Sequence, residues 1–120
     1  MIILFLFLFL FANEGNAKNA HPEKYYQELH CKSLSYGRTE VALKDGTRAD
    51  CVTADYAIEY DFCEKWAECG TQALHYGAML KLKPQCLLIC NKKEYDKYSK
   101  RLENVAKYYN LPLDINWIEE

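Results

Sequence analysis

Two acidic side chains in the first half of the chain, Asp50 and Glu59, have the type and spacing needed to bind a divalent cation. Asp50 lies on one predicted strand, and Glu59 lies in the middle of the next strand, nine residues on, after a short turn. Antiparallel neighbours on one face of a sheet lie within reach of each other, so both carboxylates could share a cation. Two facing acids must be compensated, and Arg48 or Lys65 could do this instead of a metal. A structural or exposed role for the pair therefore stays open.

The elements that must position these acids are a predicted hairpin and a third strand. Residues 38–43 and 48–53 have strand patterns and are joined by a turn with Asp-Gly at its tip. Residues 56–62 form the third strand. Side chains alternate along it, so Glu59 and Asp61 share one face while Ile58 and Tyr60 share the other.

The rest of the chain predicts three helices and two further strands. Helical spacing of apolar residues is found at 22–32, 64–80 and 92–109, and strand patterns at 85–90 and 112–118. The order is helix, three strands, helix, strand, helix, strand. The last strand-helix-strand unit should cross over right-handed and pair in parallel. We therefore expect an α/β fold with a mixed sheet flanked by helices.

Charge is divided between two neighbouring regions of the chain. Residues 40–68 contain eight acids and three bases, whereas residues 81–107 contain eight bases and three acids. Cation-assisted phosphodiester chemistry would use the acids to hold metal and the bases to receive phosphate. Ordinary solvated faces would give the same pattern. The side chains expected to contact phosphate are Lys92, Lys93, Lys97 and Lys100.

Three segments carry the acids and the helix after them: EVALKDGTRAD at 40–50, AIEYDF at 57–62 and KWAECGTQALHY at 65–76. They resemble consecutive motifs of the PD-(D/E)XK nuclease superfamily, and in particular its RecB-like and Holliday-junction-resolvase-like members. The core of that superfamily is helix, three strands, helix, strand, which agrees with the order predicted above. The resemblance implies a restriction-endonuclease-like core.

The resemblance also implies roles for individual residues. Asp50 and Glu59 match the metal-binding acids, which would bind Mg²⁺ or Mn²⁺. Gln72 and Tyr76 match a Gln-x-x-x-Tyr feature on the following helix, and Glu40 would be an accessory acid. By helical spacing, Lys65, Gln72 and Tyr76 share one face that can look back at the acids. Helix packing remains open for Gln72 and Tyr76, as does an exposed strand position for Glu40.

One position departs from the family pattern. Two residues after Glu59 the motif has Lys, and this chain has Asp61. That Lys would position the attacking water and offset charge on the phosphate. We expect Lys65 to replace it. Otherwise Asp61 adds a third acid to the metal site, or hydrolysis has been lost.

The function implied is a metal-dependent nuclease that hydrolyses phosphodiester bonds in DNA or RNA. Two alternatives come from other classes of protein. The first is an exported binding protein that keeps the nuclease fold with a degraded site. The second is a small secreted protein stabilised by disulfides and unrelated to nucleases.

The start of the chain predicts export. Residues 1–12 are uncharged and apolar, the length of a signal-peptide core, and Gly15-Asn16-Ala17 supplies small residues for cleavage after Ala17. We expect a signal peptide at 1–17 and one nuclease-like domain at 18–120, periplasmic or secreted, without stable membrane association. No Lys or Arg precedes the apolar run, so an uncleaved anchor or an apolar extension stays open, and without a genuine signal the protein is cytoplasmic.

The cysteine count agrees with an exported chain. All six cysteines follow the predicted signal and allow up to three disulfides in fifteen full pairings, among which the sequence does not choose. Zinc is the rival interpretation, but the chain has no Cys-x-x-Cys pair and its three histidines are scattered.

Overall fold

A computed structural model describes residues 19–120, which form a five-stranded mixed sheet with three α-helices. The predicted signal peptide lies outside the described residues. The helices are α1 (Glu23–Ser33), α2 (Trp66–Leu80) and α3 (Lys92–Tyr108), and a short 3₁₀ turn, Cys63–Lys65, precedes α2. The strands are β1 (Arg38–Ala42), β2 (Arg48–Val52), β3 (Tyr56–Phe62), β4 (Lys83–Cys90) and β5 (Asp114–Glu119).

The sheet runs in chain order, β1-β2-β3-β4-β5. Its first three strands are antiparallel, as a hairpin and a short turn require, and β3, β4 and β5 are parallel. Helices α2 and α3 are the two crossover connections between the parallel strands. The predicted α/β class, the mixed sheet and the parallel pairing of the last strand are therefore confirmed.

The core lies on both faces of the sheet because β3 and β4 are covered on each side. Tyr26 and Cys31 of α1 pack against Ile58 and Tyr60 of β3 and two apolar residues of β4. On the other face, α2 and α3 pack against the alternate residues of β4. Burial on both faces explains why β4 is a continuous apolar run rather than an alternating one.

Most elements begin or end one or two residues from the predicted positions, and two of these differences have a clear backbone cause. Lys65 has φ −98° and ψ 31°, outside the helical region, so α2 begins at Trp66 and the turn before it is 3₁₀. Strand β4 begins at Lys83, before Pro84, because the Lys83 N–H donates to the Asp55 carbonyl at 3.0 Å. The prediction had started this strand after the proline.

All six cysteines pair: Cys31 with Cys51, Cys63 with Cys90, and Cys69 with Cys86. The bonds join α1 to β2, the 3₁₀ turn to the end of β4, and α2 to the middle of β4. Three disulfides in a chain of this size indicate an oxidising, extracellular environment. Among residues 19–120, no helix has the length and apolar character to cross a membrane.

The Cys31–Cys51 bond closes a loop with a sequence separation of 20 residues. Removing it with the double variant Cys31→Ser/Cys51→Ser should lower the free energy of unfolding by about 3 kcal/mol, because the unfolded chain regains loop entropy. Urea denaturation followed by circular dichroism measures the change. A loss below about 1 kcal/mol would show that this bond does little to hold α1 on the sheet.

Candidate active site

The site lies where β2 and β3 separate. The two strands pair only through Cys51 with Ile58 and Val52 with Ala57, whereas β3 and β4 pair over seven residues. Beyond that point the N–H of Tyr60 donates to the Asp50 Oδ2 at 2.9 Å, and the Asp50 carbonyl accepts from Gln27 Nε2 at 2.9 Å. Side chains thus take over backbone hydrogen bonds, and the gap between the strands is where the acids gather.

Asp50 and Glu59 converge in this gap, and their carboxyl groups are hydrogen-bonded to each other. Glu59 is only 5% exposed, and its Oε2 is buried without a hydrogen-bond partner among the described residues. Burial, and then the negative charge of Asp50, raises the pKa of Glu59 far above its usual value. Burial also raises the pKa of Asp50 to about 6. A buried oxygen without a partner is costly, so this pair favours a proton or a cation.

A second pair of acids lies beside the first. Glu23, at the start of α1, is hydrogen-bonded to Asp61, which is 5% exposed. Burial raises the pKa of Asp61 to about 6, against the Glu23 hydrogen bond and the positive charge of Lys65, which lower it. Burial also raises the pKa of Glu23 to about 7, with Asp61 adding to the shift. The positive charge of Lys65 therefore acts on both acids of this pair.

Glu40 is the fifth acid and is held in an unusual backbone conformation. Gln27 Nε2 donates to Glu40 Oε1 at 3.1 Å while it also binds the Asp50 carbonyl. Glu40 has φ +52° in the middle of β1, and a non-glycine residue in this left-handed region costs about 1–2 kcal/mol. The charge of Glu40 raises the pKa of Asp50 and of Glu23. The strained residue is thus part of the same electrostatic cluster. We call Glu23, Glu40, Asp50, Glu59 and Asp61 the acidic cluster.

The position of the acidic cluster in the fold suits a ligand site. Asp61 is one residue from the end of β3, where Phe62 pairs with Ile89 near the end of the parallel strand β4. In open α/β sheets, ligands bind in the crevice outside the carboxyl ends of parallel strands. The start of α3 follows directly at Lys92.

The remaining predicted residues occupy different surroundings. Tyr76 is buried, and burial followed by the charges of Glu59 and Asp50 raises its pKa, so it lies within the field of the first acid pair. Gln72 is exposed and lines a shallow cavity with Ala67, Glu68 and Thr71. The structure thus brings Tyr76, but not Gln72, into the electrostatic cluster.

The four lysines predicted to contact phosphate are all exposed on α3. Lys92 Nζ binds Asp96 Oδ1 at 3.2 Å and lies 5.7 Å from the centre of the Trp117 ring. Lys93, Lys97 and Lys100 point to solvent further along the helix.

Sequence reasoning missed Glu23 and Gln27. Both lie on α1, four residues apart and therefore on one face of the helix. The same turn also carries the buried Tyr26, so a polar pair beside an apolar stripe was the signal available. Their role depends on how α1 packs against the strands, which the pattern of one helix does not contain.

The atoms that the acidic cluster offers are of the type that binds hard cations. All five members of the acidic cluster offer carboxylate oxygens, which Mg²⁺ and Mn²⁺ prefer, and Glu59 Oε2 lacks a partner. Within residues 19–120, however, no group of three or more His, Cys, Asp or Glu side chains could hold a metal ion as arranged. The acids are instead hydrogen-bonded in pairs, which requires a shared proton in each pair.

The raised pKa values predict that stability falls with rising pH. The pKa is about 6 for Asp50 and Asp61 and about 7 for Glu23, above the values near 4 of the unfolded chain. The folded state then binds more protons between these values, so in EDTA the free energy of unfolding should decrease by about 2 kcal/mol or more from pH 5 to pH 8. Urea denaturation at both pH values measures this.

The matched pair Glu23→Gln and Glu28→Gln tests the source of that slope on one helix. Glu28 pairs with Lys24 on the exposed side of α1. Glu23→Gln should flatten the pH dependence, and Glu28→Gln should leave it unchanged. An unchanged slope in Glu23→Gln would contradict the assignment of the slope to the cluster.

Comparison of the chain with models of protein families, with curated proteins and with solved structures gives no match. The function proposed below therefore depends on the side chains of the acidic cluster and their surroundings.

Proposed function

We propose that this protein is a metal-dependent nuclease of the PD-(D/E)XK superfamily with a restriction-endonuclease-like core. It would hydrolyse phosphodiester bonds in DNA or RNA. The observation that carries the proposal is the convergence of Asp50 and Glu59 where β2 and β3 separate, with a buried Glu59 oxygen lacking a partner. The order of helices and strands supports it, since a helix, three strands, a helix and a strand precede α3.

Mg²⁺ or Mn²⁺ would be held by Asp50 and Glu59, with Glu40 as an accessory acid. When bound, such a cation polarises the phosphate and lowers the pKa of a water molecule. Ionised Asp50 and Glu59 would no longer share a proton, so both would present oxygens to the gap. Gln27 orients Glu40 and the Asp50 backbone through hydrogen bonds. Tyr76 lies within the electric field of the same acids, since burial and then the charges of Glu59 and Asp50 raise its pKa.

Lys65 would take the part of the motif lysine that Asp61 replaces. Its positive charge lowers the pKa of both Asp61 and Glu23, so it acts on the second acid pair of the cluster. There it offsets the negative charge that develops on the phosphate during hydrolysis. The Glu23–Asp61 pair, with pKa values near neutrality, can accept and release a proton beside it. Gln72, which the family pattern would assign to orienting the attacking water, is exposed on α2 outside the acidic cluster.

The basic helix and the disulfides support a proposal for the substrate and the place of action. Lys93, Lys97 and Lys100 would bind backbone phosphates, with Lys92 at their border, and such contacts give affinity without sequence preference. With the signal predicted at 1–17, the three disulfides favour a periplasmic or secreted enzyme. Its substrate would then be extracellular DNA or RNA.

A catalytically degraded, exported binding protein is the second candidate. The observation that favours it is Asp61 at the motif lysine position, hydrogen-bonded to another acid. Such a protein would bind nucleic acid through α3 and would not cleave it.

Mutation of the first acid pair tests hydrolysis. Asp50→Asn and Glu59→Gln should each lower the rate of nicking by about 100-fold or more, because each removes one charge from the cation site. Plasmid and single-stranded substrates with Mg²⁺ or Mn²⁺ at pH 8 measure the rate. Glu28→Gln, on the exposed side of α1, is the control and should keep the wild-type rate.

Metal-dependent melting separates the two candidates. At pH 8 a cation at 100 times its Kd stabilises the folded state by about 2.7 kcal/mol, so Mg²⁺ should raise the Tm of the wild type and not of Asp50→Asn. Absence of nicking together with this shift would support the degraded protein. Equal nicking by all variants would place hydrolysis elsewhere.

A lysine exchange tests the role of Lys65. Lys65→Ala should lower the nicking rate by about 100-fold, since the phosphate loses its cationic partner. Adding Asp61→Lys to that variant returns a lysine to the motif position and should recover part of the rate. Lys24→Ala, on the exposed side of α1, serves as the control. Full activity of Lys65→Ala would exclude this lysine from the reaction.

A further inference from the structure

Helix α3 presents a row of basic side chains to solvent along most of its length. With 3.6 residues per turn, these side chains fall within an arc of roughly 120° of the helix surface, which also contains Asn104 and Tyr108. The acids of the helix, Glu94, Asp96 and Glu103, lie at the borders of this arc. We call the exposed side chains Lys93, Lys97, Lys100, Arg101 and Lys107 the basic row.

The opposite face of α3 is buried, so the basic row is the outer surface of a fixed helix. Ser99, Leu102 and Ala106 are buried against the sheet side of the molecule. The Asn91 side chain caps the start of α3 by accepting from the Glu94 N–H at 2.9 Å. A helix fixed at its cap and along its inner face holds its outer charges in a constant register.

The basic row ends in two exposed aromatic rings. Tyr108 is 82% and Tyr109 67% exposed, and their rings meet edge to face with centroids 5.0 Å apart. Tyr108 lies within the arc of the basic row, one residue after Lys107. Further back, Lys97 Nζ and Arg101 Cζ lie 5.0 and 5.2 Å from the centre of the Tyr98 ring. Aromatic rings between cations are the combination that binds single-stranded nucleic acid.

We propose that α3 is a track for single-stranded nucleic acid, with phosphates on the basic row and an unpaired base stacked on Tyr108. This inference rests on the proposed function and names its substrate class. The charge of the row complements a phosphate backbone. A ring exposed on a convex helix can stack only on a base whose face is open, and the bases inside a duplex have both faces covered.

The length and direction of the track agree with this substrate. Lys93 and Tyr108 are 15 residues apart, about 22 Å along a helix, which is the span of roughly six stacked nucleotides. The track begins directly after β4, at the end of the sheet where β3 carries Asp61. A strand bound along α3 would therefore lead to the acidic cluster.

Fluorescence anisotropy in EDTA tests the track without hydrolysis. One probe is an oligothymidylate of about twelve nucleotides, a length within the usual range of single-strand sites. The other probe is a duplex of equal length. The wild type should bind the single strand more tightly than the duplex. Tyr108→Ala should weaken single-strand binding about tenfold, Tyr108→Phe should restore it, and duplex binding should not change.

Two further variants complete the test. Tyr36→Ala removes a ring that is 83% exposed in the loop after α1, and should leave single-strand affinity unchanged. The triple variant Lys93→Ala/Lys97→Ala/Lys100→Ala should reduce the slope of log K against log salt by about two, as expected for three lost phosphate contacts. Equal effects of Tyr36→Ala and Tyr108→Ala, or equal affinity for single strand and duplex, would overturn the track.

Failure of the track and failure of the proposed function are distinguishable. Asp50→Asn should bind the single strand as the wild type does. Tight binding by the wild type without nicking would contradict the proposed hydrolysis and support the track. If Tyr108→Ala changes neither the nicking rate nor the single-strand affinity, the track is contradicted and the proposed hydrolysis is supported. Binding to vesicles of phosphatidylserine and phosphatidylcholine without affinity for the oligonucleotide would assign the basic row to membranes and overturn the proposal.

Discussion

The constraint on which this structure depends is the burial of several carboxyl groups in one gap of the sheet. Asp50, Glu59 and Asp61 lie close together, and each has a raised pKa because water is largely excluded around it. Burial of like charges opposes folding, so an unsupported gap would open and admit water. The elements around the gap must therefore hold it closed against the repulsion between the buried acids.

The disulfides provide that rigidity at each acid in turn. Cys51 follows Asp50 directly and is bonded to α1, while Cys86 is the neighbour of Glu59 in the β3–β4 register and is bonded to Cys69. The Cys69 sulfur also lies 3.5 Å from the Glu59 carbonyl oxygen. Cys63, two residues after Asp61, is bonded to the end of β4. Cross-links in these positions stabilise the fold most where the acids weaken it, and they confine this arrangement to an oxidising compartment.

The sequence was sufficient for the parts of the site that depend on local periodicity. Strand alternation predicted that Glu59 and Asp61 share one face. The short turn between β2 and β3 predicted that Asp50 lies within reach of Glu59, and the hydrogen bond between their carboxyl groups confirms this. The sequence did not predict that Glu23 and Gln27 belong to the site, because their position depends on how α1 packs across the strands. Disulfide pairing was likewise beyond it, since all fifteen pairings are equally compatible with spacing alone. The left-handed Glu40 was hidden for the same reason, as only tertiary contacts hold a glutamate in that conformation.

Asp61, at the position where the proposed family pattern has a lysine, adds to the negative charge of the gap. A lysine at that position would add one positive charge, whereas Asp61 adds a negative one. Lys65 is a cation whose charge lowers the pKa of Asp61 and Glu23. The four acids with raised pKa values, Glu23, Asp50, Glu59 and Asp61, cannot all ionise at neutral pH around one ammonium without a further positive charge. The shared protons of the two acid pairs meet this demand at low pH, and a divalent cation would meet it at higher pH. Asp61 thus brings one more carboxylate into the gap, and its ionisation at neutral pH requires a proton on a neighbouring acid or a positive charge beside it.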